Sequence, residues 1–167
     1  MSPTPKKVHR RRCGELTVEQ AHDTALIAAM LDTADMGVSG PDQSARCFLI
    51  AYSGDEPVGI AGLETDVDAA LMGPFFVVSE MRRQGVGARL ISALRLAALS
   101  RGARTLYAAV PVTFVDYFAR LGFAEINTAE VFRACRDCSL LQQIRGDNRL
   151  ACRALRADLS WESVVER

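Results

Sequence analysis

One run constrains this chain more than any other: Phe75-Phe76-Val77-Val78-Ser79-Glu80-Met81-Arg82-Arg83-Gln84-Gly85-Val86-Gly87-Ala88. An apolar strand ends in it, and a basic turn with two glycines opens a helix. Leu90, Ile91, Leu94, Ala97 and Ala98 then share one face of that helix. Gly85 and Gly87 let the backbone bend tightly and bring its N–H groups close to an anion. At a helix N-terminus those amides are unpaired, and the macrodipole favours phosphate oxygens. Arg82 and Arg83 add positive charge, which makes the turn a candidate diphosphate cradle. Two other phosphate loops do not fit. A P-loop needs Lys-Ser/Thr after its glycine, where this chain has Ala88-Arg89. A dinucleotide fingerprint needs a third glycine where Leu90 stands. Taken alone, the turn also suits a tight strand-to-helix junction that holds no ligand.

The flanking segments read as alternating strands and helices. Residues 1–7 form a leader, and Val8–Leu16 reads as a first strand. Thr17-Val18-Glu19-Gln20 has the form of a capping box, so a helix is expected from there to Met36-Gly37. Val38–Ala45 is a loop by composition. Arg46–Ser53 and Pro57–Glu64 make a hairpin around Gly54-Asp55, and Ala69–Val78 adds another strand. The helix at Gly87–Arg101 is closed by Gly102. A strand at Arg104–Val110, a short helix at Val112–Leu121 and a strand at Phe123–Asn127 follow. Val131–Ile144 carries no clear signal, and Arg149–Leu159 reads as the last strand. Hairpins followed by βαβ units imply an α/β (α+β) fold with a mixed, mainly antiparallel sheet flanked by helices. One domain over residues 8–160 is expected, with a tail at 161–167 in which Trp161 packs on the domain or on a second subunit.

Composition narrows the partners. Twenty basic and twenty acidic residues cancel, so no overall field favours nucleic acid or an anionic membrane. The basic cluster Lys6, Lys7, Arg10, Arg11 and Arg12 reads as a solvated lead-in. No apolar run approaches the ~20 residues of a membrane helix. The N-terminus lacks the apolar core of a secretory signal, and five cysteines give an odd set without a framework. A cytoplasmic protein with reduced thiols is the expectation. Cys135-Arg136-Asp137-Cys138 lacks the second ligand pair of a structural zinc site, so no metal is expected.

The second informative stretch is Phe118-Ala119-Arg120-Leu121-Gly122-Phe123, a short helix ending in an aromatic-x-x-x-Gly-Phe signature. With Arg82-Arg83-Gln84-Gly85-Val86-Gly87, a Gln/Arg-x-x-Gly-x-Gly/Ala motif, the chain resembles the GCN5-related N-acetyltransferases, or GNAT superfamily. The two signatures cover about fifty residues at the family's usual separation. The resemblance implies a six- to seven-stranded sheet with about four helices, splayed between strands 4 and 5. It implies acetyl-CoA as co-substrate, no resident metal, a small-molecule amine as acceptor and pairing as a homodimer.

Site residues follow from the same resemblance. Backbone groups of Phe76, Val77 and Val78 would bond the pantetheine like an added strand. The amides of Arg82, Arg83, Gln84, Gly85, Val86, Gly87 and Ala88 would hold the pyrophosphate. A backbone N–H near Val77 would polarise the thioester carbonyl. The family's proton-donating Tyr stands four residues before the glycine of the Gly-Phe pair, a position filled here by Phe118. Tyr117 lies about 100° round the helix from it, open to a role as acid or as packing. Phe118 is retained as a cofactor contact. Thr113 falls where an Asn usually contacts the cofactor, and Glu64 is the general-base candidate. Gly62-Leu63-Glu64, the Thr113-to-Phe118 stretch and the Arg-rich, Cys-containing segment look like the arsenic-resistance and N-acetylglutamate synthase-like branch. That branch suggests an amino acid or analogue as acceptor. Gly73-Pro74 replaces its frequent Arg-Ser, so Arg133 or Arg136 would grip the acceptor carboxylate. Two rival readings are a non-catalytic acyl-CoA-binding module and an RNA- or protein-binding domain that uses the basic N-terminus. An acetyltransferase acting on protein amines is a further variant.

Overall fold

Apolar and small residues alternating over positions 46–77 build three antiparallel strands, and these carry the site. A computed structural model describes residues 14–36, 46–141 and 152–165. The strands are β1 (Leu16–Ala21), β2 (Arg46–Ser53), β3 (Glu56–Thr65), β4 (Ala69–Val77), β5 (Thr105–Pro111), β6 (Ala124–Ile126) and β7 (Cys152–Asp158). The helices are α1 (Thr24–Thr33), α2 (Val86–Ser100), α3 (Val115–Arg120), α4 (Thr128–Ala134) and α5 (Trp161–Val165). The seven strands form one sheet in the order β1-β2-β3-β4-β5-β7-β6. All pairs are antiparallel except β4 with β5. The mixed, mainly antiparallel α/β architecture matches the expectation.

Both faces of the sheet are covered. Leu90, Ile91, Leu94 and Ala98 of α2 bury their stripe against Leu49, Leu63, Met72 and Leu106 on one face. Their fit depends on Gly59, where a Cβ would lie 3.0 Å from a Leu90 methyl and 3.3 Å from Val86. On the other face α1 packs Ile27, Met30 and Leu31 over Phe48, Ile50 and Ile60. Beside it, Val131, Cys135, Cys138, Leu140 and Leu141 cover Ala69, Leu71, Tyr107 and Ala154. Glu130 of α4 meets Arg156 of β7 at 2.8 Å, tying that helix to the sheet.

One expectation needs correction, and two segments gain an element. Thr17–Gln20 does not open a helix: it lies in β1, paired with β2 from Leu16↔Ser53 to Ala21↔Phe48. Leu16 and Val18 are half-buried while Thr17 and Glu19 are exposed, so two-residue alternation outweighs the local capping signal. Helix α1 starts instead after Asp23, whose carboxylate accepts from the Ala25 and Leu26 amides. The segment without clear signal begins inside α4, which is capped by Asn127 accepting from the Ala129 N–H. The expected tail contains α5, in which Val164 is buried although Trp161 is exposed. The leader, the basic cluster and the start of the expected first strand lie outside the described residues.

Candidate active site

The site begins where β4 and β5 separate. They pair only at Ala69↔Thr105, Ala70↔Leu106 and Leu71↔Tyr107. Beyond that point β5 keeps its bonding to β7 as far as Pro111↔Cys152, while β4 runs on to Val77 beside β3. The β3–β4 register slips between Ala61 and Leu63, so Gly73-Pro74 lie opposite Gly62 as a bulge. A proline and a glycine in mid-strand are the residues that such a bulge tolerates.

The bulge precedes a stretch of β4 whose backbone faces the gap. Val78 N–H donates to the Val58 carbonyl (3.0 Å). An antiparallel ladder turns alternate residues to alternate neighbours, so Phe76 and Val78 bond to β3. Phe75 and Val77 therefore turn their N–H and C=O toward the side that β5 has vacated. The Val77 carbonyl accepts from Arg82 Nε at 3.0 Å, and the Arg82 guanidinium lies 5.8 Å from the Phe76 ring centroid.

The turn from β4 to α2 is built from backbone. Ser79–Met81 make a 3-10 turn with Met81 buried, and Gln84 Nε2 donates to the Glu80 carbonyl at 2.9 Å. Arg83 and Gly85 both have positive φ, 62° and 84°. For Arg83 that left-handed conformation is strained, and it is held by the fixed ends of the turn. Gly85 is the N-cap of α2 and offers no side-chain bond to the first-turn amides, and that turn has no acidic residue. The N–H groups of Val86, Gly87 and Ala88 are thus presented at the positive end of a 15-residue helix. Arg82 and Arg83 are exposed beside them. The arrangement suits an anion beside the gap in the sheet.

Helix α3 closes the same corner. A Cβ on Gly87 would lie 2.5 Å from the Tyr117 hydroxyl and 3.5 Å from the Phe75 ring, so that hydroxyl rests on the first turn of α2. Burial pushes the Tyr117 phenol up and Arg120 draws it partly back, which keeps it protonated as a donor must be. Phe118 is given to the core instead of the cofactor. Its ring is 2% exposed and meets Phe75, Tyr117 and Phe123 edge-on at 5.8, 5.4 and 5.3 Å. Thr113 is exposed on the 3-10 turn before α3, between the exposed Val112 and Phe114.

Glu64 and Arg133 stand elsewhere. Glu64 is 4% exposed, and its carboxylate is taken up by the segment after α4. Oε1 accepts from Ser139 N–H (2.6 Å), and Oε2 from Ser139 Oγ and Leu140 N–H (both 3.0 Å). A carboxylate so committed anchors backbone, which corrects its expected role as an available general base. Arg133 is exposed, and its Nε reaches back 3.4 Å to the Ala129 carbonyl of its own helix. Two residues that sequence reasoning missed are Arg46, beside Glu64, and Phe75, whose backbone faces the gap. Counting outward from the Gly54-Asp55 turn puts Arg46 opposite Leu63. A bulge at Val58 shifts it to Glu64.

Cys135 and Cys138 are buried free thiols, and a hydrogen bond with Cys135 together with burial pushes the Cys138 thiol up. Among the described residues no group of three or more His, Cys, Asp or Glu could hold a metal ion. Among them, too, no helix is long and apolar enough to cross a membrane.

Comparison with known proteins places this geometry. Among curated proteins no sequence matches significantly. N-acetylglutamate synthase from Neisseria gonorrhoeae, solved with coenzyme A and N-acetyl-glutamate, superposes with a TM-score of 0.68 at 20% identity. The match covers 89% of this chain and 36% of that one, so the chain spans about a third of that enzyme's length. A Mycobacterium tuberculosis protein solved with CoA gives 0.65 at 22% identity, over 86% of this chain and 99% of that one. A Bacillus subtilis acetyltransferase solved with CoA gives 0.62 at 17%, over 87% and 100%. These likenesses are of fold. The acetyltransferase (GNAT) domain family matches residues 15–138, a span that contains the splayed strands, the glycine turn before α2, and α3. The chain belongs to the GNAT acetyltransferases.

Proposed function

We propose that this chain moves an acetyl group from acetyl-CoA directly to a primary amine of a small molecule. The observation that carries this reading is the parting of β4 from β5 next to the unpaired N-terminal amides of α2. Pyrophosphate oxygens on Val86, Gly87 and Ala88 would lay the pantetheine along β4, where the Phe75 backbone and the Val77 N–H face the gap. The thioester then lies in the gap, reachable by an amine from the face opposite α2.

The chemistry needs few side chains. The amine nitrogen attacks the carbonyl carbon, and the electron pair moves to oxygen. A β4 amide at Phe75 or Val77 stabilises that oxyanion. Collapse breaks the C–S bond, the nitrogen loses its proton to water, and the leaving thiolate takes one. The Tyr117 hydroxyl, seated against Gly87, is the donor that α3 offers in place of the signature Tyr. The neighbours solved with coenzyme A support acetyl-CoA as co-substrate.

Calorimetric titration with acetyl-CoA tests the reading. Wild-type protein is expected to bind in the micromolar range, and a Gly85→Glu, Gly87→Glu double variant, less stable by the geometry of both sites, to lose binding at a temperature where circular dichroism shows it folded. A folded wild type without affinity would sink it. The burial of Phe118 where relatives carry Tyr favours one alternative, an acyl-CoA-binding module without turnover. Acetyl transfer by pure protein to any amine separates the two.

A further inference from the structure

The gap between β4 and β5 has a closed end as well as a mouth. Its last rung is Leu71↔Tyr107, and the β4 bulge at Gly73-Pro74 lies just beyond that rung. A pantetheine that enters at the turn before α2 runs down β4 past Val77 and Phe75, so its thioester end arrives at this bulge. What stands there limits what the thioester can carry.

Gly73 has no side chain, and Leu140 takes the place of one. The Leu140 methyls lie 2.9 and 3.4 Å from the point where a Cβ on Gly73 would stand. Leu140 is buried in one cluster with Leu71 and Tyr107, both members of the closing rung. From Gly73 to that rung is two residues of strand, about 7 Å. The Leu140 side chain therefore caps the closed end of the gap, on the sheet face opposite α2.

Packing alone does not hold it there. Glu64 of β3 accepts from the N–H groups of Ser139 (2.6 Å) and Leu140 (3.0 Å) and from Ser139 Oγ (3.0 Å). Glu64 pairs with Leu71 in the sheet, so this clamp is built on the same rung. Asp66 adds a longer tie, accepting from Asp137 N–H at 3.3 Å. A buried carboxylate committed to three donors on two successive residues fixes the Leu140 backbone to the sheet. Its methyls are already in contact with Gly73. A longer guest could displace this leucine only by breaking charged hydrogen bonds or overpacking the core.

We propose that Leu140 is the end stop of the acyl site and restricts the thioester to a two-carbon acyl group, with Glu64 as the residue that positions it. The inference rests on the transferase reading above and names its donor class: acetyl-CoA in preference to propionyl- and butyryl-CoA. Each further methylene has to enter space that the Leu140 methyls hold.

Calorimetric titration of the full chain with CoA, acetyl-CoA, propionyl-CoA and butyryl-CoA tests this without knowledge of the acceptor. Wild type is expected to bind propionyl-CoA about 10-fold more weakly than acetyl-CoA, and butyryl-CoA more weakly still. Leu140→Ala should bring the thioesters within about threefold of one another. Leu140→Val, the milder truncation should Leu140→Ala fail to fold, should admit propionyl-CoA. Free CoA, which carries no acyl group, should bind wild type and variants alike. Leu141→Ala makes the same truncation one residue on, in the same buried cluster, and should keep the wild-type order. That order is read within one preparation, so a lower folded fraction does not alter it. Equal binding of the thioesters by wild type overturns the proposal. So does an order unchanged in folded Leu140→Val, or one relaxed equally by Leu141→Ala. Protein that binds neither CoA nor any thioester overturns the transferase reading, and this proposal with it.

Discussion

Gly87 and Tyr117 leave no room for a side chain at the start of α2, since a Cβ on Gly87 would lie 2.5 Å from the hydroxyl. Gly87→Ala must displace Tyr117, at a cost of about 1–3 kcal/mol by urea unfolding. Tyr117→Phe in that background removes the clashing atom and should recover most of the loss. The same substitution alone tests the proton donor. With Tyr117 as the acid, kcat is expected to fall about 100-fold while acetyl-CoA affinity is unchanged. Unchanged turnover would make the hydroxyl a packing group. Phe118→Tyr, which restores the residue common in relatives, is expected to destabilise, by about 1–3 kcal/mol. A hydroxyl there enters a ring cluster at a position 2% exposed.

Among the elements, those facing the core were legible and those fixed by distant partners were not. β2 and α2 follow from local pattern, because a strand buried on both faces and a single apolar stripe each have one way to pack. β1 was misread because Thr17–Gln20 satisfies a helix-start rule, yet the partner strand lies some thirty residues away. Helix α4 had its signal in Asn127 and Glu130, a cap and an acid at the N3 position, read only as the end of a strand. The turn from β4 into α2 was legible because glycine and arginine act through backbone and charge close in sequence. The fate of Glu64 was not, since its partners Ser139 and Leu140 stand 75 and 76 residues on. Those bonds make a prediction for the 139–141 segment. Glu64→Gln puts an amide donor against backbone N–H and leaves Arg46 without its counter-ion, costing about 3 kcal/mol. Hydrogen exchange at Ser139 and Leu140 should accelerate well before global unfolding.

For the molecule as a whole, burial sets an alkaline limit. Burial raises the Cys47 thiol and the Tyr107 and Tyr117 phenols, and a hydrogen bond with Cys135 raises Cys138. Each group holds its proton more tightly folded than unfolded. The stability it contributes is therefore complete below its unfolded pKa and is lost as pH rises through the folded value. The ordinary values are 9.0 for the thiols and 10.0 for the phenols. Tm should therefore decline from about pH 9 upward, and less steeply in Tyr107→Phe. The strand order bears on synthesis as well. β7, the last of the described strands, lies between β5 and β6, and among those strands β6 pairs only with it. On the ribosome, the outer edge of β5 waits without a neighbour until residues 152–158 leave the exit tunnel. A nascent chain stalled before that point exposes a sticky strand edge beside a half-built cleft. Chaperone capture should therefore persist until β7 slots in.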